Sequence, residues 1–131
     1  MGDKKISRDE LSAILDLHKR WIETKAAEGE QAVLGPFDLS GIDLSGANLS
    51  NANLCMATLN DANFSDANLY NASLRYAEMN RVNFRTADLN HADFSNSEMD
   101  NADFTGSEMT STNLSNSVML NARFVGANLR A

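Results

Sequence analysis

Ala47-Asn48-Leu49-Ser50-Asn51, Ala52-Asn53-Leu54-Cys55-Met56, Ala57-Thr58-Leu59-Asn60-Asp61 and Ala62-Asn63-Phe64-Ser65-Asp66 are consecutive five-residue units built on one pattern. A small residue opens each unit, a polar residue follows, and a large apolar residue stands third. Read outward in both directions, the apolar centre returns at every fifth position without a slip. It runs from Leu39, Leu44 and Leu49 through Met79, Phe84, Leu89 and Phe94 to Met119, Phe124 and Leu129, which makes 19 units. Ala47, Ala52, Ala57, Ala62, Ala67, Ala72 and Ala77 hold the small position without interruption. Later Ser97, Ser107, Thr112 and Ser117 replace alanine, and Val82 is a larger exception.

A straight α-helix cannot use this period. Five residues advance about 500°, so successive centres drift by about 140° and cover every side. A flat strand cannot use it either, because five is odd and the centres would alternate between faces. Only a backbone that turns once per unit keeps every centre pointing inward. The small residue two before each centre then shares the inside, and the polar residues after it suit the turn.

The number of sides is also written in the sequence. Phe64, Phe84, Phe104 and Phe124 recur every 20 residues, as do Met79, Met99 and Met119. Four units per coil would stack like on like, although Phe94 and Met109 stand outside this rule. The expected fold is an all-β solenoid, a four-sided parallel β-helix. Nineteen units give 4.75 coils, a rod of about 23 Å at a strand spacing of about 4.8 Å. Phe84 is expected to couple to Phe64 and Phe104 along one column, and not to Phe94.

Residues 1–36 read differently from residues 37–131. Ser7 and Glu10 form a capping box, with Ile6 and Leu11 placed as a hydrophobic staple. Leu11, Ile14, Leu15, His18 and Ile22 then recur at helical steps. The spacing predicts an amphipathic helix over 7–28 that caps the first coil, with Gly29 as its stop and Gly35-Pro36 as the break before the repeats. His18 is expected to be a packed core histidine.

The units resemble the pentapeptide-repeat family, whose pattern is A-(D/N)-L-X-X. Ala47-Asn48-Leu49-Ser50-Asn51, Ala62-Asn63-Phe64-Ser65-Asp66 and Ala87-Asp88-Leu89-Asn90-His91 are good copies. The resemblance implies a right-handed quadrilateral β-helix, a bacterial source and, for most members, no known biochemical activity. The segment Leu17-His18-Lys19-Arg20-Trp21-Ile22 is similar to the capping helix of many bacterial members. The family's quinolone-resistance members resemble DNA and bind DNA gyrase. This chain departs from them in being shorter, in lacking a loop inserted between coils and in lacking a separate C-terminal segment.

Composition narrows the function. With 43% hydrophobic and 22% charged residues the chain is expected to fold, and no apolar run approaches membrane-spanning length. It starts without an apolar signal core, and its one cysteine, Cys55, fits a reducing cytoplasm. A net charge of −7 argues against direct nucleic-acid binding. No catalytic set, cofactor motif or metal spacing stands out, because outward side chains on a rod diverge. Asp88, His91 and Asp93 read as turn residues. The expected function is therefore non-catalytic, a protein-interaction scaffold, with a DNA mimic directed at gyrase and a purely structural role as alternatives. Mimicry is disfavoured by charge. A 23 Å rod would need about 14 negative charges to match duplex DNA, whereas 11 acidic residues and 5 arginines give the repeats a net of −6.

Two surfaces are candidates. At Met56, Tyr70, Arg75, Tyr76, Arg81 and Arg85 the outward positions stop being small and polar. In a four-sided coil Met56 and Tyr76 lie one above the other with Arg75 beside them, and tyrosine and arginine are common binding anchors. At the far end Val118, Leu120 and Val125, with the centre Leu129, are apolar where earlier coils are polar. They predict a homodimer joined end-on through residues 114–131, with two solenoids continuing one another.

Overall fold

The computed structural model describes residues 3–130. Parallel bridges link residues 20 apart: Asp38 to Thr58 on one side, Asp43 to Asn63, Asn48 to Asn68 and Asn53 to Ser73 on the next three. The same register runs up to Glu108 and Asn128, so four units make one coil. Each side carries a single bridge rather than an extended strand, because the turn consumes the rest of the unit. Side one holds the centres Leu39, Leu59, Met79, Met99 and Met119. Side two holds Leu44 and the phenylalanines 64, 84, 104 and 124, side three Leu49 to Leu129, and side four Leu34, Leu54, Leu74, Phe94 and Leu114. The ladder begins at Val33, bridged to Asn53, with Leu34 fully buried. That is one unit before the boundary at 37, since Ala32-Val33-Leu34 has the same inward pattern.

Each corner is a turn closed from the N–H three residues after a centre to that centre's carbonyl, as from Ala52 to Leu49 at 3.0 Å. From Gly41 to Gly126, every residue two past a centre has φ between +56° and +73°. This is the third position of a type II turn, which favours Gly and Asn. The N–H just after each centre needs an acceptor, and the Asn or Asp just before the centre supplies it. Ser40 donates to Asp38 Oδ1 at 3.1 Å and Ser65 to Asn63 Oδ1 at 3.0 Å. Glu78, Glu98 and Val118 cannot fill this role, and there the acceptor comes from the coil before. Asn80 donates to Asn60 Oδ1, Asp100 to Asn80 Oδ1 and Leu120 to Asp100 Oδ1, each at 2.9 Å.

The core is the stack of centres and small residues. Phe64, Phe84, Phe104 and Phe124 form the expected column, with successive ring centroids 5.5, 5.1 and 4.9 Å apart. Phe94 is not isolated from it. It reaches across the narrow interior from side four and meets Phe84 edge-on at 5.5 Å and Phe104 at 6.1 Å. Hydroxyls at small positions are satisfied inside: Ser107 Oγ donates to the Phe104 carbonyl at 2.8 Å and Thr112 Oγ1 to that of Leu89 at 2.8 Å.

The N-terminal helix, α1, spans Arg8–Glu23, and both bonds of the capping box at Ser7 and Glu10 are present. It ends five residues before the expected limit at 28. Thr24 Oγ1 bonds back to the Arg20 carbonyl at 2.7 Å, and Lys25 and Ala26 turn left-handed with φ of 52° and 70°. Gly29 is not the helix stop. It lets the returning chain touch α1, because a Cβ there would stand 2.3 Å from the Leu17 carbonyl oxygen. Leu11 joins the core, and His18 is wholly buried. His18 Nε2 lies 2.9 Å from the Ser50 carbonyl, and Nδ1 accepts from the Ala32 N–H at 2.9 Å. Nδ1 must therefore be unprotonated and Nε2–H the donor, so the ring is neutral; burial holds its pKa below the ordinary value. Lys4 bridges Phe37 and gives its carbonyl to the Asp38 N–H at 2.9 Å.

Candidate partner surface

The solenoid divides the six outward candidates. Met56 and Tyr76 stand one coil apart at the corner after side four, 49% and 48% exposed. Both take the left-handed turn position, with φ of 68° and 60°. Arg75 lies beside them on side four, its guanidinium 5.7 Å from the Tyr76 ring and only loosely paired with Asp93, at 3.7 Å. Tyr70 projects from side three, around the corner, and meets His91 edge-on at 5.4 Å. Arg81 and Arg85 lie away from this edge. Arg81 grips Asp61 through two bonds of 2.7 and 3.0 Å, which lowers the Asp61 pKa. Arg85 reaches Asp103 at 3.2 Å on side two.

A groove that the sequence did not announce runs beside Met56. Trp21 and Gln31, from α1 and the returning chain, face Asn51, Asn53, Asn71 and Arg75 across a depression of about 400 Å³. It shares Asn53 and Cys55 with a second depression of about 270 Å³, lined by Val33, Pro36 and Met56. No sequence spacing links Trp21 to Asn53; only the docking of α1 does.

Among the described residues, exposed large apolar side chains gather in two zones. Leu17, Val33, Met56, Tyr70 and Tyr76 lie on α1, the returning chain and the early coils, Val33 and Met56 lining the second depression. Val118, Leu120, Val125 and Leu129 lie on the last coil, Leu120 being 66% exposed. Leu114, Met119 and Phe124 of that coil are only half-buried. No helix of the described residues is long and apolar enough to cross a membrane.

The family model for Pentapeptide repeats matches residues 38–75 and 67–106, in 8 copies, which is over half the chain. The chain belongs to the pentapeptide-repeat family. Its members fold as right-handed quadrilateral β-helices, in keeping with the 20-residue register here. No curated protein matches it. Among solved structures it is similar to a pentapeptide repeat protein from the cyanobacterium Cyanothece 51142, with 30% identity and a TM-score of 0.65, over 66% of this chain and 60% of that one. It is also similar to HetL of Nostoc sp. strain PCC 7120, a pentapeptide repeat protein involved in heterocyst differentiation regulation, with 27% identity and a TM-score of 0.49. That match covers 74% of this chain and 44% of HetL. QnrB1, a plasmid-mediated fluoroquinolone resistance protein, shares 18% identity over 76% of this chain and 68% of its own, with a TM-score of 0.48. The chain thus spans about half the length of the first two pentapeptide-repeat structures it matches.

Proposed function

We propose that this pentapeptide-repeat chain is a non-catalytic scaffold of the cytoplasm that binds a partner protein at the edge formed by Met56, Arg75 and Tyr76. The observation that carries the reading is where the two large side chains sit. Met56 and Tyr76 occupy corner positions whose left-handed backbone suits Gly or Asn, and which Asn or Gly holds at most other corners. Placing a bulky L-residue there costs on the order of 1 kcal/mol, and strain of this kind is retained where it serves a surface rather than the fold. The neighbouring Arg75 adds an anchor whose ion pair is loose.

The test is capture of partners from an extract of the source cell, comparing the wild-type chain with Met56→Asn/Tyr76→Asn. The variant is expected to be at least as stable and to lose the partner. Retention of every partner by the variant would move the binding surface elsewhere and favour a purely structural role for this edge. The gyrase alternative has less support, because three of the five solenoid arginines stand within 3.7 Å of Asp93, Asp61 and Asp103 and break the acidic field. The apolar outward residues of the last coil support a second contact, an end-on homodimer through residues 114–131. We also assign α1 the role of covering the first coil, which its buried Leu11 and His18 support.

A further inference from the structure

The groove beside Met56 has a chemistry of its own. The chain carries 18 acidic residues, yet none of the residues lining the 400 Å³ depression is Asp or Glu, and one of them is Arg75. The orientation of the Asn53 amide is set by a neighbouring bond. Asn53 Oδ1 is taken by the N–H of Cys55 at 3.0 Å, which leaves the Asn53 Nδ2 group as the free end. Asn51 and Asn71 pair amide to amide at 2.7 Å, and in either orientation one amide nitrogen of the pair is left free. Neither free nitrogen has an acceptor among the described residues. Two amide donors and a guanidinium with only a 3.7 Å contact to Asp93 therefore line one concave site. Donors with no carboxylate among the lining residues, and only a loose Asp93 contact at Arg75, suit a further carboxylate, which accepts several hydrogen bonds and pairs with Arg in a bidentate way.

We propose that this groove receives the carboxylate of an Asp or Glu side chain in an extended segment of the partner protein. The reading rests on the scaffold function above and specifies what that scaffold recognises. A segment is favoured over a free anion because the groove continues, through Asn53 and Cys55, into the depression lined by Val33, Pro36 and Met56. An apolar residue next to the acid would fill that continuation, and a small anion would leave it empty.

Trp21 is the only tryptophan and lines the site, so its fluorescence reports occupancy directly. The full chain is titrated with acetyl-Leu-Glu-Leu-Glu-Leu-amide, with the same peptide carrying Gln for Glu, and with sodium acetate. The acidic peptide is expected to shift Trp21 emission saturably and to bind at least about tenfold more tightly than the Gln peptide, the worth of one charge-assisted contact. Added salt should reduce that difference. Arg75→Gln should abolish the preference and Arg75→Lys should keep part of it, both with unchanged circular dichroism, while Arg85→Gln on side two should leave it intact. Equal response to both peptides, no response to either, or a preference that survives Arg75→Gln would each overturn the proposal. Acetate acting as strongly as the peptide would overturn the choice of a protein segment. If Met56→Asn/Tyr76→Asn abolishes partner capture while Arg75→Gln leaves it unchanged, the scaffold stands and the carboxylate site falls. If capture survives the double substitution, the edge formed by Met56 and Tyr76 is not the binding surface, and the scaffold reading at this edge fails.

Discussion

A single residue's contribution here depends first on its place in the five-residue unit. Thr86 sits two past a centre with φ of 56°, a conformation that β-branched side chains resist, and its hydroxyl donates to Asp66. Thr86→Asn keeps a donor for Asp66 and suits the left-handed turn, so it is expected to stabilise by about 1 kcal/mol. A raised midpoint in urea unfolding at unchanged slope would show this; a lowered one would mean that the Thr86 bond outweighs the strain. Gly35 makes the opposite case. A Cβ there would stand 2.1 Å from the Cys55 carbonyl oxygen, which is backbone and cannot yield. Gly35→Ala is expected to cost about 3 kcal/mol, within the range for substitutions that force a backbone shift, and a loss under 1 kcal/mol would show that the first coil relaxes freely.

At the scale of the element, α1 is fastened by a histidine that must stay neutral. A proton on Nδ1 would face the Ala32 N–H with a second donor, and burial already opposes the charge. Because the folded pKa is depressed, the contribution of His18 is fully present above about pH 6.5, the unfolded value. It is lost as pH falls below that, where the unfolded chain takes up the proton first. Thermal unfolding from pH 7.5 to 5 should therefore show a falling midpoint that His18→Gln flattens; an equal slope in the variant would place the titration elsewhere. Inside the solenoid, the aromatic column changes the expected coupling. Phe84→Ala should destabilise by about 3–5 kcal/mol. Double-mutant cycles should link it to Phe64 and Phe104 by stacking and also to Phe94, whose ring meets Phe84 edge-on at 5.5 Å. Additivity with Phe94 would contradict the cross-interior contact.

For the whole molecule, stacking gives the rod a polarity. On side two, Phe64 and Asp66 each donate upward, to Asn83 and Arg85, while only Ala62 accepts, from Asn83. Every coil thus presents two N–H donors for each carbonyl on its upper rim. A two-fold pairing of last coils sets two donors on each side for every carbonyl, so the ladder cannot be matched bond for bond across it. A dimer through residues 114–131 would instead be sealed by apolar side chains, Leu120 and Val125 foremost. Sedimentation at micromolar concentration is expected to give a dimer mass that Leu120→Asp/Val125→Asp converts to a monomer. A monomeric wild-type chain, or a dimer indifferent to the double substitution, would sink this arrangement. The modest net charge of −6 on the repeats also predicts no strong inhibition of gyrase supercoiling at submicromolar protein.

By itself the sequence determined the inward set and the turn once per unit, because an unbroken period of five admits only a backbone that turns with each unit. The 20-residue recurrence of phenylalanine and methionine pointed to four units per coil, and the bridges between residues 20 apart bear it out. The capping box at Ser7 and the phenylalanine column were legible for the same reason: both are relations of fixed spacing. Met56, Arg75 and Tyr76 could be picked out as bulky exceptions and, given four units per coil, set together at one edge; that Arg81 and Arg85 pair with Asp61 and Asp103 on other sides was decided by the structure. The early end of α1 was decided by a threonine that bonded to its own helix, and the Phe94 contact by the narrowness of the interior. The groove was decided last. Its donors come from side four and the corner before it and its wall from Trp21, and that arrangement exists only once the neutral His18 ring has fixed α1 to the first coil.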